Sequence, residues 1–571
     1  MPRLNDEVAH AFQELADLIQ IAGGDRFKVV AYRRVADEIQ ALGRDIGTLS
    51  SKELASLRGV GKATASKIRE VIDTGTMAKL EEARTVVPPG IREMTRLPGL
   101  GPKTALLLSS ELGISSLEEL QKAIDQGRLR DVKGLGPKTE QNLAKALKSF
   151  TGGELRVPLD VALKVAEGML EELDRQPCVL RSAYCGSLRR MKETIGDLDL
   201  LVSSTDPPAV MNAFVRLPQV TGTLAHGSTK SSVEAAGGLQ VDLRVVAPEE
   251  FGAALQYFTG SKEHNVRVRE IAVKQGYKLS EYGLFRVSDN VSVAGAAEEE
   301  IYSALGLMTP PPTLRENRGE VEAAARGELP VVIELADLKG DLHSHSVYSD
   351  GAATVREMAL AAVRLGRSYL AVTDHLDAWV KSHTLETIVK QAGEIAAVNR
   401  ELEGEITVLQ GVEVDIGPEG DLALPHTILD VVDLVIASIH RRFGLGPEET
   451  TARVVKALRH PRVDILGHPT GRWLGKRPAV EFDLEMVFKV AQENRVALEV
   501  NSNPARLDLK DDHLRLARDC GCRFSIATDS HNPSQLGRMR LGVGMAQRGW
   551  VTAGEVINAL PLDELRRTLK R

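Results

Sequence analysis

The chain is poor in cysteine, with only Cys178, Cys185, Cys520 and Cys522 among its 571 residues. That is too few for a disulfide framework in a chain of this length. Long apolar runs are missing too. A stretch such as Leu434 to Ile439 is far short of the roughly 20 residues that a membrane-spanning helix needs. The opening MPRLNDEVAH is charged and lacks the apolar segment that directs secretion, so a cytoplasmic location and no membrane partner are expected. An overall basic excess is absent as well, the net charge being −7. That deficit is uneven: residues 1–150 carry +3, 151–337 carry −8 and 338–571 carry −2. Binding to phosphates needs a local basic footprint, so the balance neither supports nor excludes DNA. What is present fits an ordinary multi-domain protein, with 43% hydrophobic and 26% charged residues. At about 150 residues per domain, about four domains are expected.

Histidine is concentrated toward the end of the chain. Ten of 13 lie between His343 and His531, and only His10, His226 and His264 precede them. Histidine is the commonest metal ligand, which points to a metal site in the last part of the chain. Near the start, LRGVGKATASKI (57–68) is echoed by LPGLGPKTALLL (97–108) and VKGLGPKTEQNL (132–143). Each copy reads apolar, Gly-x-Gly, lysine, then a helical apolar pattern. Glycine there permits positive φ and bares backbone N–H groups at a helix start, where a phosphate oxygen can sit. These repeats resemble helix-hairpin-helix motifs that grip DNA backbones without reading sequence. The expected DNA contacts are Gly59, Gly61 and Lys62, then Gly99, Gly101 and Lys103, then Gly134, Gly136 and Lys138.

After Gly152-Gly153 the pattern turns to alternating strands such as DLDLLVSS and LQVDLRVV, mixed with helical stretches. Asp197 and Asp199 stand two apart on one strand and so share a face. Asp242 opens another strand with apolar flanks. Aspartates in apolar strands are costly unless a cation neutralises them. Three of them suit two Mg²⁺ or Mn²⁺ ions about 4 Å apart, the arrangement for in-line phosphoryl transfer. A Pro-rich stretch, 308–330, reads as a linker. Beyond it short apolar runs alternate with helical ones, and polar residues mark the strand ends.

Motifs GSLRR, GDLD, VDLR and YFTGSKEHNVRVR (257–269) resemble the family X DNA polymerases. The resemblance implies Asp197 and Asp199 as ligands shared by both metals, and Asp242 as the third ligand, beside the primer 3′-OH. It implies Gly186, Ser187 and Arg190 around the triphosphate of a dNTP, and Tyr257, Phe258 and Gly260 along the sugar. Asn265 would meet the base edge and Arg269 the template. Lys67 falls where lyase-competent members carry a Schiff-base lysine, although Lys62 is displaced from the family pattern. Met191 and Lys262 also depart from that pattern. A solvated helix lysine is the other reading of Lys67.

Farther on come His343-x-His345, Asp350, His375, Glu413, His440, His468 and Asp529-x-His531. All stand at or just beyond the ends of apolar runs, where they can converge on one barrel mouth. His and carboxylate sets of this kind suit Zn²⁺, Mn²⁺ or Fe²⁺. The set resembles the PHP (polymerase and histidinol phosphatase) domain, a distorted (β/α)7 barrel with up to three metals. By that resemblance His343, His345, Glu413 and Asp529 form one site. Glu413, His440 and His468 form a second, and Asp350, His375 and His531 a third. His383, His426, His460 and His513 fit no motif position and read as surface residues. Cys520 and Cys522 read as structural thiols.

The expected fold is multi-domain α and α/β. Residues 1–80 and 81–153 form helical hairpin regions, 154–250 a nucleotidyltransferase palm with a mixed sheet, and 251–307 a nucleotide- and template-binding subdomain. A linker, 308–337, then leads to the PHP barrel, 338–571. The expected activity is gap-filling DNA synthesis by a monomer on gapped or nicked duplexes. A 3′–5′ exonuclease accompanies it, with action at abasic sites or 3′-phosphates besides. The alternatives are a DNA-end scaffold with dead sites, and a barrel that acts as a small-molecule phosphatase.

Overall fold

Heptad-like spacing of Val8, Phe12, Leu15 and Leu18 gives the first helix one apolar face, and those residues are all buried. The computed structural model describes residues 3–570 except 23, 41–45, 56, 58–59, 88–90, 92–93, 95–99, 101, 133–134, 137–138, 141–142, 145–146, 148–155, 236–237, 377–384, 423–427 and 429–430. The chain divides into two compact units, 1–155 and 156–571. The first is helical, with its longer helices at Arg3–Ile21, Arg26–Gln40, Lys62–Thr74, Ala78–Val86, Pro102–Leu112 and Leu117–Asp125. One apolar cluster, including Phe12, Ile39, Ile68, Leu108 and Leu120, runs through both expected hairpin regions.

The second unit begins with a mixed sheet. A short pair, β1 (Val157–Pro158) and β3 (Thr194–Ile195), lies apart from it. The sheet contains β2 (Val179–Tyr184), β4 (Asp197–Ser204), β5 (Val220–His226), β6 (Lys230–Ala235) and β7 (Leu239–Val246) in the order β2-β4-β7-β6-β5. Strands β4 and β7 are parallel and the other pairs antiparallel. In β7 the apolar Leu239, Val241, Leu243 and Val245 are buried, which turns Gln240, Asp242 and Arg244 to the opposite face. Helix Leu159–Asp174 buries Leu159, Leu163, Ala166, Leu170 and Leu173, spaced three or four apart. Helices Phe251–Thr259 and Lys262–Lys274 follow, then a small antiparallel sheet of β8 (Tyr277–Ser280), β9 (Gly283–Arg286) and β10 (Ser292–Ala294).

The segment 308–337, expected to be a linker, is packed. It contains the helix Glu320–Arg326, and Leu314, Val321, Ala324 and Val332 are buried. Arg315 is fully buried; its Nε donates to Pro310 O at 2.9 Å, and its Nη1 is paired with Glu298. Glu320 accepts from His264 Nδ1 at 2.6 Å, and the other ring nitrogen meets Tyr302 Oη at 2.9 Å. Leu314 and Val332 join Trp550 in one apolar cluster. A segment that links two domains can itself be packed, and here these partners bury its charges.

Seven parallel strands then form a nearly closed barrel: β11 (Gly340–Asp341), β12 (Tyr369–Val372), β14 (Thr407–Asp415), β15 (Leu434–Ser438), β16 (Ile465–Gly467), β17 (Ala497–Asn501) and β18 (Phe524–Ala527). A short β13 (His375–Leu376) continues after β12 and also pairs with β14. A parallel bridge from Ser344 to Ser530 links the segments just beyond β11 and β18. The strands are buried on both faces, as near-continuous Val, Ile and Leu runs require. Those runs are interrupted by two buried carboxylates, Glu413 on β14 and Glu499 on β17.

Candidate functional site

Two acidic centres lie in the second unit. In the first, Asp199 on β4 and Asp242 on β7 are direct register partners, and Asp197 lies two residues before Asp199 on the same face. Gly186, at φ +60°, opens the short helix that follows β2, and Cys185 N donates to Asp199 O at 2.7 Å. Burial, then the charges of Asp197 and Asp242, push the Asp199 carboxyl up to about 7. Asp242 is half-buried, which alone would raise it. Hydrogen bonds from Lys230, Gln240 and Ser232 outweigh burial and hold it below the usual range. Lys230 Nζ stands 2.9 Å from Asp242 Oδ2, and Gln240 Nε2 2.9 Å from Oδ1. Three carboxylates crowded beside an apolar core fit divalent cations, which would relieve their repulsion.

The expected nucleotide contacts surround this centre unevenly. Ser187 is half-buried beside Gly186. Tyr257 and Phe258 pack edge to face at 5.1 Å, and Arg244 lies 4.5 Å over the Phe258 ring. Gly260 adopts φ +71°, with the Arg190 guanidinium next to where a β-carbon would be. Two of the expected contacts are engaged within the protein in this structure. Asn265, expected at a base edge, spends its carboxamide inside the protein: Oδ1 accepts from Gln256 at 2.7 Å and Nδ2 donates to Tyr257 O at 2.6 Å. Arg190, expected on the triphosphate, pairs with Glu316 at 3.0 Å and donates to Thr259 O at 2.5 Å. Arg269 donates to Asn265 O at 3.2 Å.

In the barrel, all nine expected ligands converge. Glu413 is the hub: its Oε2 lies 3.3 Å from His343, 3.6 Å from His345 and 2.9 Å from His375, and its Oε1 3.3 Å from His440 and 3.1 Å from His468. Asp529 lies 3.3 Å from His345 and 3.7 Å from His343, and His531 lies 3.2 Å from Asp350. The groups tight enough for a cation differ from the expected division. They are His345, Asp350, His375 and His531; His343, His345 and Asp529; and His375, Glu413 and His440. His468 belongs through Glu413.

Buried His343 Nε2, both His345 nitrogens, both Glu413 oxygens and His468 Nδ1 have no hydrogen-bond partner among the described residues. Leaving that many buried lone pairs unmet is costly, and cations would satisfy them. Burial, with Arg506 close by, pushes His468 down to about 4, which keeps it neutral and able to ligate. Against its own burial, Glu499, Glu413 and Asp529 raise His343 well above the usual range.

The sequence reading missed the residues that hold these ligands. Glu499 accepts from His343 Nδ1 at 2.6 Å and also binds the backbone N–H of His468. Asp415 accepts from His440 N at 3.0 Å. Asp374 accepts from Ser346 N at 2.8 Å. Glu499 was detectable: an acid inside the apolar run VALEV obeys the same rule that singled out Asp242. His460 and His513, expected at the surface, are half-buried, and burial pushes His513 down to about 4. His383 and His426 lie outside the described residues.

In the helical unit, Gly61 precedes the helix Lys62–Thr74 with φ −86°, and Gly136 is not in the left-handed region either. Positive φ is therefore not what these glycines supply. A β-carbon at either would meet nothing within 4 Å, so the turns are open to close approach. Lys62 is exposed; Lys67 donates to Ala63 O at 3.3 Å. Gly59, Gly99, Gly101, Gly134 and Lys138 lie outside the described residues, as does the side chain of Lys103.

The chain matches the helix-hairpin-helix domain over residues 3–77 and the SAM-like helix-hairpin-helix tandem over 91–149. It matches the DNA polymerase beta thumb over 254–316 and the PHP domain over 341–503. It is 37% identical over 569 residues, 99% of either chain, to the Bacillus subtilis (strain 168) protein named DNA polymerase/3′-5′ exonuclease PolX. It is 26% identical over 321 residues to DNA polymerase lambda of Rattus norvegicus, 51% of this chain and 53% of that one. A Thermoanaerobacter sp. (strain X514) protein named a probable phosphatase is 28% identical over 230 residues, 38% of this chain and 89% of its own. The fold and both centres define a family X DNA polymerase that carries a PHP domain. Within that class, the chain belongs to the bacterial PolX family. Among the described residues, no helix is long and apolar enough to cross a membrane.

Proposed function

We propose that this protein fills short gaps during DNA repair by template-directed addition of dNTPs, and that its barrel degrades DNA 3′ ends. The observation that carries the first half is the pairing of Asp199 with Asp242 across β4 and β7, with Asp197 on the same face. Divalent ions there, Mg²⁺ or Mn²⁺, would stabilise the charge of in-line transfer, in which the primer 3′-oxygen bonds the α-phosphorus and pyrophosphate leaves. Asp242 would meet the primer 3′-OH, and Gly186 and Ser187 would offer backbone and hydroxyl donors to the triphosphate. Arg190 joins them only after leaving Glu316. Tyr257, Phe258 and Gly260 line the sugar, and Arg269 meets the template. In the helical unit, Gly61, Lys62 and Gly136 contact the DNA backbone, with their counterparts in the other repeats. Lys67 is retained as a lyase candidate.

For the barrel, the nine convergent ligands support up to three Zn²⁺, Mn²⁺ or Fe²⁺ ions, which would supply Lewis acidity for phosphoester hydrolysis. His375, His440, Asp350 and His531 are the more exposed members of the group, the side a DNA end would reach. Abasic sites and 3′-phosphates are further substrates. The protein acts in the cytoplasm as a monomer on gapped or nicked duplexes, with helical hairpins at 1–80 and 81–153, the palm at 154–250 and the barrel at 338–571. A gapped-duplex assay with and without dNTPs, across Mg²⁺, Mn²⁺ and Zn²⁺, tests both halves. Failure to extend in any metal would leave a DNA-end scaffold.

The likeness to a protein named a phosphatase favours a second reading for the barrel, a small-molecule phosphatase. Comparing 3′-labelled DNA with histidinol phosphate separates the two: hydrolysis of the ester alone would end the nuclease reading.

A further inference from the structure

Beyond the ligands, the ends of β16 and β17 carry residues that the chemistry above does not use. The loop after His468 holds Trp473, and the loop after Asn501 holds Arg506. The backbone ties the two loops together, with Leu474 N donating to Ala505 O at 2.7 Å. Arg506 is only 9% exposed, and its Nε lies 3.6 Å from Asp529 Oδ2, too far for a hydrogen bond. Its Nε and Nη1 are buried without a hydrogen-bond partner among the described residues. A guanidinium presents a rigid fork of donors that matches phosphate oxygens, and leaving it dry and unmet is unfavourable. An arginine held this way beside a metal ligand is poised for an anion at the metal centre.

The Arg506 guanidinium carbon lies 5.2 Å from the centre of the Trp473 ring, and the exposed Lys476 ammonium lies 5.5 Å from it. Trp473 also forms one wall of a cavity of about 500 Å³, large enough for a nucleotide. Arg472, Lys476, Arg477 and Lys510 line that cavity, against Glu193 as its carboxylate. Arg472 pairs with Glu193 at 2.8 Å and Lys510 with Asp512 at 2.8 Å, which leaves Lys476 and Arg477 as the cations of the lining. An aromatic face, a dry arginine and a cationic recess in sequence are the elements that hold an unpaired nucleic-acid strand. A duplex cannot use the indole, because its bases are already stacked.

We propose that Arg506 and Trp473 form a strand-holding subsite at the mouth of the barrel. Arg506 takes a non-bridging oxygen of the phosphate at the metal centre, Trp473 stacks an adjoining unpaired base, and the cationic recess receives the next phosphates. The inference rests on the nuclease reading and assigns to it the residues that hold an unpaired strand.

The test uses the full-length protein with Mn²⁺ and two substrates, hexathymidylate and the same strand with abasic tetrahydrofuran units at its last two positions. Wild type should prefer the base-bearing strand at least fivefold in kcat/KM. Trp473→Ala should lose that preference and Trp473→Phe should keep it. Arg506→Gln should lower kcat/KM on both strands alike, at unchanged metal content. A preference that survives in Trp473→Ala, or metal loss that accounts for the Arg506→Gln defect, overturns the proposal. As a turnover-free check, hexathymidylate in Ca²⁺ should quench tryptophan emission more in wild type than in Trp473→Phe. Equal quenching also overturns it. Should wild type degrade neither strand, the nuclease reading fails, and the quenching difference alone decides whether the subsite stands.

Discussion

Gly186 stands so close to Asp199 that a β-carbon on it would lie 2.5 Å from the Asp199 carboxylate. The glycine also sits at φ +60°, which side-chain-bearing residues rarely adopt. Gly186→Ala is therefore expected to displace a metal-binding carboxylate without removing it. A misplacement of about 1 Å costs on the order of 100-fold in rate. Primer extension by the variant should fall by about that factor, with 3′-end degradation as the internal control. Extension at the wild-type rate would show that Asp199 tolerates the shift.

Asp242→Ala is expected to abolish incorporation, by at least roughly 1000-fold, because positioning and electrostatic stabilisation supply most of phosphoryl-transfer catalysis. Degradation of 3′ ends should continue. A variant that keeps a tenth of wild-type extension would overturn the assignment of Asp242 as a ligand.

The raised carboxyl of Asp199, at about 7, gives a pH signature. Between the ordinary carboxyl value of about 4 and pH 7, the cation-free folded state holds a proton that the unfolded chain has released. That contribution is complete at low pH and is lost as pH rises through 7. A cation takes the proton's place, so Mg²⁺ should raise Tm more at about pH 8 than at about pH 6. Asp199→Asn should narrow the difference. Differential scanning calorimetry at the two pH values measures it, and equal shifts in wild type would refute the argument.

Glu499→Gln is expected to weaken the barrel without touching a ligand. The carboxylate orients His343 through its Nδ1–H, and such partners typically contribute 10- to 100-fold in metal affinity or activity. His343→Ala should go further and eliminate degradation of 3′ ends. Metal content and nuclease rate should fall together in both variants while primer extension is unaffected. Unchanged metal content in both would detach the pair from the site.

Glu298 accepts from Arg189 at 2.9 Å and is also paired with the fully buried Arg315. Burial would raise its carboxyl, but Arg315 and Arg189 together bring it down to about 2. Its contribution is therefore complete above about pH 4.5 and is lost as pH falls toward 2. Glu298→Ala strands the Arg315 charge and should destabilise this unit by about 3–5 kcal/mol. Urea unfolding at neutral pH tests this, and a midpoint equal to wild type would contradict it.

Period-two alternation made the acidic centre legible in the sequence, since Asp197, Asp199 and Asp242 could be assigned to strand faces before any pairing was known. Ligands at successive strand ends were legible for a similar reason: parallel strands in a barrel bring those ends together. Partners distant in sequence were not. Nothing local shows that Arg190 meets Glu316, 126 residues later. The packing of the stretch 308–337 was not legible for the same reason, because prolines and charges report composition and not the distant residues that cover them. Glu499 was a local signal passed over.

The packing of that stretch has a consequence for how the two chemistries can be separated. Ile333 N donates to Val551 O at 2.9 Å, and Arg548 reaches Arg190 O and Glu316, both at 2.8 Å. Cleaving the chain near residue 330 would leave Leu314 bare on one fragment and Val332 and Trp550 on the other, two wet apolar faces in place of one dry seam. Neither fragment would inherit a finished surface. Synthesis and degradation are thus bound to a common folding fate, and neither can be discarded by truncation without exposing the core of the other.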